Sequence, residues 1–334
     1  MKALRLLSIY ERLCQGSVIQ KKNEGERFLV HTKTIQRDIE DLRMFLVEEY
    51  PDEKEAGIIY DRQKGGYRLK RDQHTWLTNE EVLLMAKILL ESRACPRTEI
   101  NQLLSKLILQ CEPKEQKRIK KYINNEHFHY IDLQHGTQLK NRLWDINSAV
   151  YEHRTVTLEY QRPQNKEVVR RVVEPYGIMF SEYYFYLIAY IKDSNFAFPA
   201  VYRLDRIVNY QINDECFTIP DRERFEEGEF RKRVQFMRSG PIIRIRFRFW
   251  GQSLEAVLDR LSTARVLEQE GKTAVVEVEV FGTGIKMWLL SQAQFLEVIS
   301  PDWFRAEMQQ TIRDMLSIYE DSGVMKSREG DLIE

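Results

Sequence analysis

Apolar residues change their spacing near the middle of this chain, and that change constrains the fold more than any other feature. Through about the first 150 residues they recur mainly every three or four positions, as in NEEVLLMAKILLES, which is the stripe of an amphipathic helix. Farther along they alternate with polar residues or form β-branched and aromatic blocks, as in TVTLEY and YYFYLIAY, which predicts strands. The sequence therefore predicts an α+β fold of several domains.

The 334 residues are enough for two or three domains at roughly 150 residues each. The first predicted region has three helices and a hairpin, and the second has helices alone. The third has one helix and a series of strands, and the fourth is an α/β segment in which strands and helices alternate. Thr78 and Glu81 form a capping box ahead of the first helix of the second region. The predicted boundaries are 1–72, 73–138 (a helical connector), 139–220 and 231–320.

The chain has 51 basic and 51 acidic residues, and this balance excludes a uniformly basic protein of the histone type. No apolar run reaches 18 residues, and no signal-peptide core precedes the first helix, so we expect neither a membrane partner nor export. The four cysteines are scattered without a CxxC pair, and we interpret them as reduced, buried thiols. These features predict a cytoplasmic protein.

The N-terminal region has the spacing of three short helices. The first is expected over 2–15 and to bury Leu4, Leu7 and Leu13 on one face. A weaker, charge-rich second helix is expected over 19–28.

The third helix begins near His31 and buries Ile35, Ile39 and Leu42, which leaves polar side chains on its opposite face. The segments IIYDR and YRL follow around the turn QKGG, which predicts a β-hairpin. Three helices and a hairpin make a winged helix-turn-helix, whose third helix enters the major groove of duplex DNA. A small helical domain with solvated charges has the same periodicity, so spacing alone leaves both interpretations open.

In the DNA-binding interpretation, Gln36 reads adenine and Arg37 or Lys33 reads guanine through paired hydrogen bonds. Lys64 and Arg68 on the hairpin contact phosphates. The candidate DNA-binding residues are Thr32, Lys33, Thr34, Gln36, Arg37, Arg43, Lys64 and Arg68.

The segment VHTKTIQRDIEDLR followed by KGGYRL resembles the winged helix-turn-helix of DeoR-type bacterial repressors. That family has a Thr-Ile-x-Arg-Asp-Ile-x-x-Leu recognition helix and a Gly-Gly-Tyr-x-Leu wing. The resemblance implies that Asp38 orients Arg37 or caps the helix locally. His31 departs from the serine or threonine that usually precedes this helix, and it is a poorer N-cap. The matching positions are Thr34, Ile35, Arg37, Asp38, Ile39, Leu42, Gly65, Gly66, Tyr67 and Leu69.

The strand-rich third region resembles the WYL domain, which is named for a Trp-Tyr-Leu triplet. Here the triplet is Phe185-Tyr186-Leu187, and the segment Tyr202–Ile207 follows it. The fourth region, with GTGIKMWLLSQAQFLEVISPDWFRAEM, resembles the WCX extension that follows WYL domains. The resemblance implies a small SH3/Sm-like β-barrel that senses a nucleic-acid-like or nucleotide ligand.

Arginines and tyrosines interleave on the strands of the WYL-like region. Guanidinium groups suit phosphates and tyrosine rings suit base stacking. The alternative is that the tyrosines form the core and that Arg206 pairs with Asp205 or Glu174. Arg203 and Arg206 are three positions apart, so a bulge or a strand end is needed to bring both to one site. The candidate ligand-binding residues are Tyr160, Arg162, Arg170, Arg171, Tyr186, Tyr202, Arg203 and Arg206.

The C-terminal region begins with a basic strand. Seven basic and no acidic residues lie between residues 231 and 250, whereas eight basic and fifteen acidic residues follow from 251 to the end. Arg244, Arg246 and Arg248 alternate with apolar residues and therefore share one face. They either track phosphates or pair with Glu277 and Glu279 on a neighbouring strand, and we favour the second interpretation.

We expect no enzyme and no cofactor, because the sequence has no phosphate-binding loop, GxSxG or HExxH motif. The segment GTGIKMW lacks the lysine-serine ending of such a loop. His127 and His129 lie near Glu126, but their spacing suits one face only in a strand, so no metal site is expected.

Together the two resemblances imply a bacterial DNA-binding transcriptional regulator with a ligand-sensing WYL domain. We expect double-stranded operator DNA, a single-stranded nucleic acid or nucleotide effector, and a homodimer, because helix-turn-helix proteins usually read two half-sites. The alternative is a single-stranded nucleic acid or nucleotide sensor that acts mainly through a protein partner.

Overall fold

The computed structural model describes residues 2–14, 16–49, 57–70, 77–111, 113–194, 196, 198–218 and 227–320. The chain mixes helix and strand and divides into two compact units, Met1–Gln138 and Leu139–Glu334. The predicted boundaries near residues 72 and 220 fall outside the described residues. Within the described ranges, no helix is both long enough and apolar enough to span a membrane.

Three helices and a hairpin open the first unit. Their core is formed by one face of the first helix, one face of the third, and Ile58 and Tyr67 of the hairpin, and Phe28 at the end of the second helix packs against it. The first helix differs from the expectation: Ile9 and Leu13 are buried, whereas Leu4 and Leu7 are 73% and 64% exposed. The elements are α1 (Lys2–Cys14), α2 (Lys21–Phe28), α3 (Thr32–Glu49), β1 (Gly57–Asp61) and β2 (Gly66–Lys70).

The connection between α1 and α2 becomes part of the hairpin sheet. The expected second helix starts later than predicted, because Ile19 exchanges two backbone hydrogen bonds with Tyr67 of β2. Gly65 has φ of +63°, a conformation that favours glycine. A Cβ on Gly66 would lie 2.9 Å from the carbonyl oxygen of Ile19, so the Gly-Gly turn allows this close approach.

Three further helices follow in the first unit. The predicted capping box is present: Thr78 Oγ1 accepts from the Glu81 amide, and the Glu81 carboxylate accepts from the Thr78 amide. The helices surround a core of their own, which includes Ala86, Leu104 and Ile119. Their bounds are α4 (Asn79–Ser92), α5 (Arg97–Ile108) and α6 (Pro113–Phe128).

The second unit begins with a helix that covers a curled antiparallel sheet. The strand order is β6-β5-β4-β3-β7, and β6 and β7 are the edges. Only the short 3₁₀ turn Leu204–Arg206 joins these edges, which requires the sheet to curl until they approach each other. The elements are α7 (Lys140–Tyr151), β3 (Arg154–Gln161), β4 (Val168–Ser181), β5 (Tyr184–Ile191), β6 (Ala200–Arg203) and β7 (Ile207–Cys216).

The expected SH3/Sm-like barrel is not closed by hydrogen bonds. In the described residues no ladder joins β6 to β7, so the structure is an open, curled sheet. The 3₁₀ turn takes the place of the closing ladder, since its three residues are not in strand conformation.

Successive residues of β5 serve different cores. Leu187 and Ala189 lie in the core beneath α7, against which Phe185 packs. Ile188 instead lies with Met179 and with residues that follow the sheet in sequence, and Tyr186 packs against that second cluster. The two faces of this strand are therefore both covered, but by different elements.

A second sheet occupies the C-terminal part, with strand order β11-β8-β10-β9. Helices cover one face, where Phe247, Val276 and Phe304 are buried. Of these elements, α8 and the edge strand β9 were not predicted. The elements are α8 (Glu227–Arg233), β8 (Ile242–Phe249), α9 (Leu254–Arg260), β9 (Arg265–Glu270), β10 (Thr273–Phe281), α10 (Ile285–Ser291), β11 (Leu296–Ser300) and α11 (Asp302–Glu320).

The glycines of GTGIKMW have a packing role. A Cβ on Gly284 would lie 2.1 Å from the carbonyl oxygen of Gln235, and one on Gly282 would lie 2.8 Å from that of Ser239. The segment between α8 and β8 therefore crosses this loop at a distance that only glycine permits.

Candidate functional site

The outer face of α3 carries unpaired basic side chains. Thr32, Lys33 and Arg37 are exposed, and Thr34 is half-buried. Within the described ranges, neither Lys33 nor Arg37 has a carboxylate within ion-pairing distance. Because Ile35 and Ile39 are fully buried on the opposite side, the orientation of this face is fixed.

His31 caps α3 despite being an unusual residue for that position. Its Nδ1 accepts a hydrogen bond of 3.2 Å from the backbone amide of Lys33. One of the unpaired amides of the first turn is thereby satisfied, as serine or threonine would do.

The position of Asp38 corrects one expectation. Its carboxylate does not orient Arg37 but accepts hydrogen bonds from Arg5 of α1. Asp38 is only 1% exposed. It therefore joins two helices in the interior, and Arg37 remains available.

Gln36 and Arg43 are tied to the hairpin. Gln36 Oε1 accepts from the Tyr67 hydroxyl at 2.7 Å, and Gln36 Nε2 donates to Glu40 at 2.9 Å. Arg43 Nε donates to the carbonyl oxygen of Ile58 at 2.8 Å, and its guanidinium lies over the ring of Tyr67. Arg43 thus joins the hairpin to α3, and its place among the DNA-binding residues stays a prediction.

The hairpin turn presents a second basic surface. Asp61 accepts from the backbone amides of Gln63 and Lys64 and also lies 3.3 Å from Arg68 Nε. The hydrogen bond from Lys64 is the main cause that lowers the pKa of Asp61. The Lys64 side chain is exposed on the turn, whereas Arg68 shares its charge with Asp61.

Arg203, at the end of β6, lies in an aromatic and acidic setting on the second unit. It makes two hydrogen bonds to Asp205, at 3.0 and 2.7 Å, and its guanidinium lies 3.4 Å from the centre of the Tyr184 ring. Burial is the largest single influence and opposes the charge of Arg203, but the hydrogen bonds that Arg203 donates to Asp205 and the nearby negative charge together outweigh it, so the pKa of Arg203 is raised. Tyr186 is the register partner of Arg203, and burial raises the pKa of Tyr186.

This group contains two residues that the sequence prediction omitted. Tyr184 is two positions before Tyr186, so both lie on the same face of β5. Asp205 is two positions after Arg203 and was considered only as a partner of Arg206. The alternation YFY was the available signal for Tyr184.

Tyr160 and Tyr202 belong to the core. Tyr202 is buried, its ring meets that of Tyr160 edge-on at 5.0 Å, and burial raises its pKa to about 12. The charge of Arg171 acts in the opposite direction on Tyr202, which places Arg171 near this pair. The alternative interpretation of these two tyrosines as core residues is therefore the one the geometry favours.

The remaining candidate arginines do not gather around Tyr186. Arg162 lies at the turn after β3 and pairs with Glu167, and Arg170 is exposed far along β4 from Met179, the register partner of Tyr186. Arg206 lies on the 3₁₀ turn and is half-buried, without a carboxylate partner in the described residues. Strand β6 ends at Arg203, which is the strand end needed to bring Arg203 and Arg206 to one site. Asp205, however, pairs with Arg203 and not with Arg206.

Helix α7 makes hydrogen bonds to the 3₁₀ turn and to the strand that follows it. Arg142 Nη1 donates to the carbonyl oxygen of Leu204 at 2.6 Å, and burial lowers the pKa of Arg142. Tyr210 donates to Asp145 of the same helix at 2.7 Å. One contact to α7 therefore holds the turn that separates Arg203 from Arg206, and a second holds the strand β7 that follows it.

The C-terminal arginine strand forms an ion-pair ladder. Arg246 lies opposite Glu277 and Arg244 opposite Glu279, at nitrogen–oxygen distances of 2.6 and 3.4 Å. Arg248 pairs with Glu297 of β11 at 2.8 Å. The charges compensate one another, which agrees with the interpretation favoured from the sequence.

Neither the cysteines nor the histidines of the described residues form a metal site. No group of three metal-binding side chains occurs within the described ranges, and His127 instead contacts Asn101. The four cysteines, all of them described residues, form no disulfide, but only Cys111 is buried and Cys216 is exposed, so the expectation of four buried thiols is wrong.

Comparison with known proteins places two family domains on the second unit. The model of the WYL domain matches residues 142–212, and that of the WCX domain matches residues 241–316. No curated protein matches the chain.

Two solved structures are similar over part of their length. One is proteasome accessory factor B/C (PafBC) of Arthrobacter aurescens, with 16% identity, a TM-score of 0.31, and coverage of 90% of this chain and 46% of that one. The other is described as a CRISPR Cas-related protein, with 18% identity, a TM-score of 0.36, and coverage of 55% and 51%. The chain thus spans about half the length of each. Within this chain, a segment that matches the WYL domain is therefore followed by a segment that matches the WCX domain.

Proposed function

We propose that this chain is a DNA-binding transcriptional regulator whose first three helices and hairpin act as a winged helix-turn-helix. One observation carries the proposal: Lys33 and Arg37 are exposed one turn apart on α3 and have no acidic partner in the described residues. Unpaired basic side chains on the outer face of a fixed helix suit the base edges and phosphates of a major groove.

We infer different tasks for the predicted DNA-binding residues from the contacts around each of them. Arg37 and Lys33 are free to read bases, and Thr32 can contact a phosphate at the start of the helix. Gln36 reads a base only if its bonds to Tyr67 and Glu40 rearrange. Lys64, at the tip of the hairpin, is placed to contact a phosphate.

Binding of the purified full chain to a labelled duplex of its own upstream region tests this proposal. Arg37→Ala is expected to weaken binding by about 10- to 100-fold, since one paired contact to a base is worth about 1–3 kcal/mol. Lys64→Ala should weaken all duplexes alike and lower the salt slope by about one. Arg265→Ala, on the exposed strand β9, is the matched control and should bind as the parent does.

We further propose that the WYL domain senses an anionic, nucleic-acid-like ligand at Arg203, Tyr184 and Tyr186. Arg203 is a stacked guanidinium held by one carboxylate, so a phosphate can replace Asp205 as its partner. Such a ligand regulates DNA binding only if its affinity differs between two arrangements of the regulator. Arg203→Ala should abolish the effect of a short oligonucleotide on duplex binding and leave duplex binding itself intact.

The same experiment separates the alternative function. If Arg37→Ala leaves duplex binding unchanged while the oligonucleotide still binds, the chain is a single-stranded nucleic acid sensor that acts through a protein partner. We also propose a cytoplasmic, non-enzymatic homodimer, and sedimentation of the free protein and of its duplex complex tests the dimer.

A further inference from the structure

An open groove of about 710 Å³ lies between α7 and the hairpin of β4 and β5. One wall follows the helical stripe Lys140, Leu143, Trp144 and Asn147, which are spaced to share one face of α7. The other wall is the hairpin. Its lining residues on the hairpin are Ile178, Phe180 and Phe185.

Aromatic rings dominate this groove. Trp144 is 75% exposed, although a tryptophan ring usually buries most of its surface. Across the groove, Phe180 and Phe185 are register partners on neighbouring strands, with ring centres 5.1 Å apart. The groove therefore offers flat, unsaturated surfaces on both walls to a planar ring.

The rim supplies one lysine, two amides and one carboxylate that is already hydrogen-bonded. Lys140 is exposed and has no carboxylate within ion-pairing distance in the part of the chain that the structure describes. Asn141 and Asn147 are also exposed. Asp145, the acidic residue of the lining, is engaged by the Tyr210 hydroxyl at 2.7 Å.

We propose that this groove binds a base of a short single-stranded nucleic acid. The base stacks on Trp144 and against Phe180 and Phe185, an asparagine amide contacts its edge, and Lys140 contacts the adjoining phosphate. Aromatic platforms flanked by a lysine bind single strands in this way without strong sequence preference. The rings alone would also suit an apolar ligand, but the unpaired lysine and the amides favour an anionic, hydrogen-bonding one.

This inference rests on the proposed ligand class but places a contact at a different surface. Phe180 and Phe185 face the groove, whereas Tyr186 packs against the cluster on the other face of the same hairpin. A single-stranded nucleic acid that contacts both the groove and Arg203 must therefore pass around the hairpin. The groove can therefore fail as a site while Arg203 still binds the ligand.

The exposed tryptophan provides the measurement. The full chain is titrated with unlabelled oligo(dT), tryptophan emission is recorded, and anisotropy of the same oligonucleotide carrying a dye gives the affinity in parallel. We expect saturable quenching for the parent. Trp144→Ala should lose most of the quenching and bind about 10- to 100-fold more weakly, as is typical when one stacked base loses its platform.

Three variants sharpen the result. Trp144→Phe keeps an aromatic ring and should retain most of the affinity while losing the quenching. Trp303→Ala removes another exposed tryptophan, 51% accessible on α11, and should change neither the affinity nor the quenching. Lys140→Gln should reduce the salt slope by about 0.7, the value for one phosphate contact of a single strand.

Three results would overturn the inference, and they differ in what else they affect. If Trp144→Ala binds the oligonucleotide as the parent does, the groove is not the site, but the proposed ligand class stands. If the parent binds no oligonucleotide in either measurement, the proposed ligand class fails and the groove assignment fails with it. Emission of Trp144 that changes with protein concentration alone would assign the groove to a second copy of the chain and would also overturn it.

Discussion

Arg5 of α1 donates two hydrogen bonds to Asp38 of α3, at 2.5 and 3.1 Å, and both side chains are buried. Hydrogen bonding to the Asp38 carboxylate is the main cause that raises the pKa of Arg5. A buried carboxylate that is matched by two donors fixes the rotation of α3 relative to α1. That rotation decides which residues of α3 face solvent, and these include Lys33 and Arg37.

Removal of Asp38 should therefore destabilise the N-terminal helices. Asp38→Ala leaves a buried guanidinium without a partner, which costs about 3–5 kcal/mol. Hydrogen exchange of the α1 and α3 amides measures this change. Lys2→Ala breaks the exposed pair between Lys2 and Asp41 and should cost less than about 1 kcal/mol. Equal losses of stability in Asp38→Ala and Lys2→Ala would contradict the role assigned to the buried pair of Arg5 and Asp38.

The hydroxyl of Tyr67 should influence DNA binding without touching DNA. Tyr67→Phe releases Gln36 from its bond to the hairpin and keeps the ring on which Arg43 lies. Loss of one neutral hydrogen bond is worth about 1 kcal/mol, so we expect duplex affinity to change by about fivefold. Anisotropy of a labelled duplex gives the affinity, and thermal unfolding shows whether the fold is intact. Unchanged affinity would show that the bond does not position Gln36.

Asp205 should compete with an anionic ligand for Arg203. Asp205→Asn keeps the shape of the side chain but removes the charge that occupies the guanidinium. We expect the affinity for a phosphate-bearing oligonucleotide to rise several-fold, because the ligand no longer has to displace a carboxylate. Isothermal titration of the parent and the variant compares them. Weaker binding by the variant would mean that Asp205 orients Arg203 for the ligand and does not block it.

Adjacent residues of β8 should differ greatly in their effect on stability. Arg246 belongs to the exposed ion-pair ladder, and Arg246→Ala should cost less than about 1 kcal/mol. Phe247 points to the opposite face and is fully buried, so Phe247→Ala should cost about 3–5 kcal/mol. Urea unfolding followed by circular dichroism compares them. A large loss of stability in Arg246→Ala would show that the ion pairs of this ladder contribute substantially to the free energy of unfolding.

The WCX domain should lose stability in acid. The hydrogen bond from Arg305 is the main cause that lowers the pKa of Glu297 below its ordinary value of 4.5. Because the folded pKa is the lower one, this stabilisation is complete above pH 4.5 and is lost as the pH falls through the folded pKa. The Tm of the parent should fall over this window, and Glu297→Gln should flatten the fall. An identical pH profile for the variant would exclude this carboxylate as a cause.

Local signals predicted local structure well. The Thr78 capping box, the Gly65-Gly66 turn and the pairing of Arg246 with Glu277 could all be expected from residues close in sequence or from a period of two. In each of these cases the physical cause lies within one element or between two strands that the same pattern identifies.

Long-range contacts explain what could not be predicted. Leu4 and Leu7 suggested the buried face of α1, but Asp38 from another helix draws Arg5 inward and rotates that face. The dispersal of Arg162 and Arg170 depends on strand order, which spacing does not specify. The groove beside Trp144 was missed because its two walls come from a helix and a hairpin that are distant in sequence.

Consecutive side chains of β5 point to opposite faces of the sheet, so the length of this strand decides which residue faces which surface. Phe185 belongs to the groove side and Tyr186 to the Arg203 side, so the chain separates two surfaces with consecutive residues. Insertion of a single residue before Phe185 would move each of the two rings to the opposite face of the sheet while leaving composition and hydrophobicity almost unchanged. Homologues that bind different ligands could therefore differ in whether this strand is one residue longer, and not in the identity of its side chains.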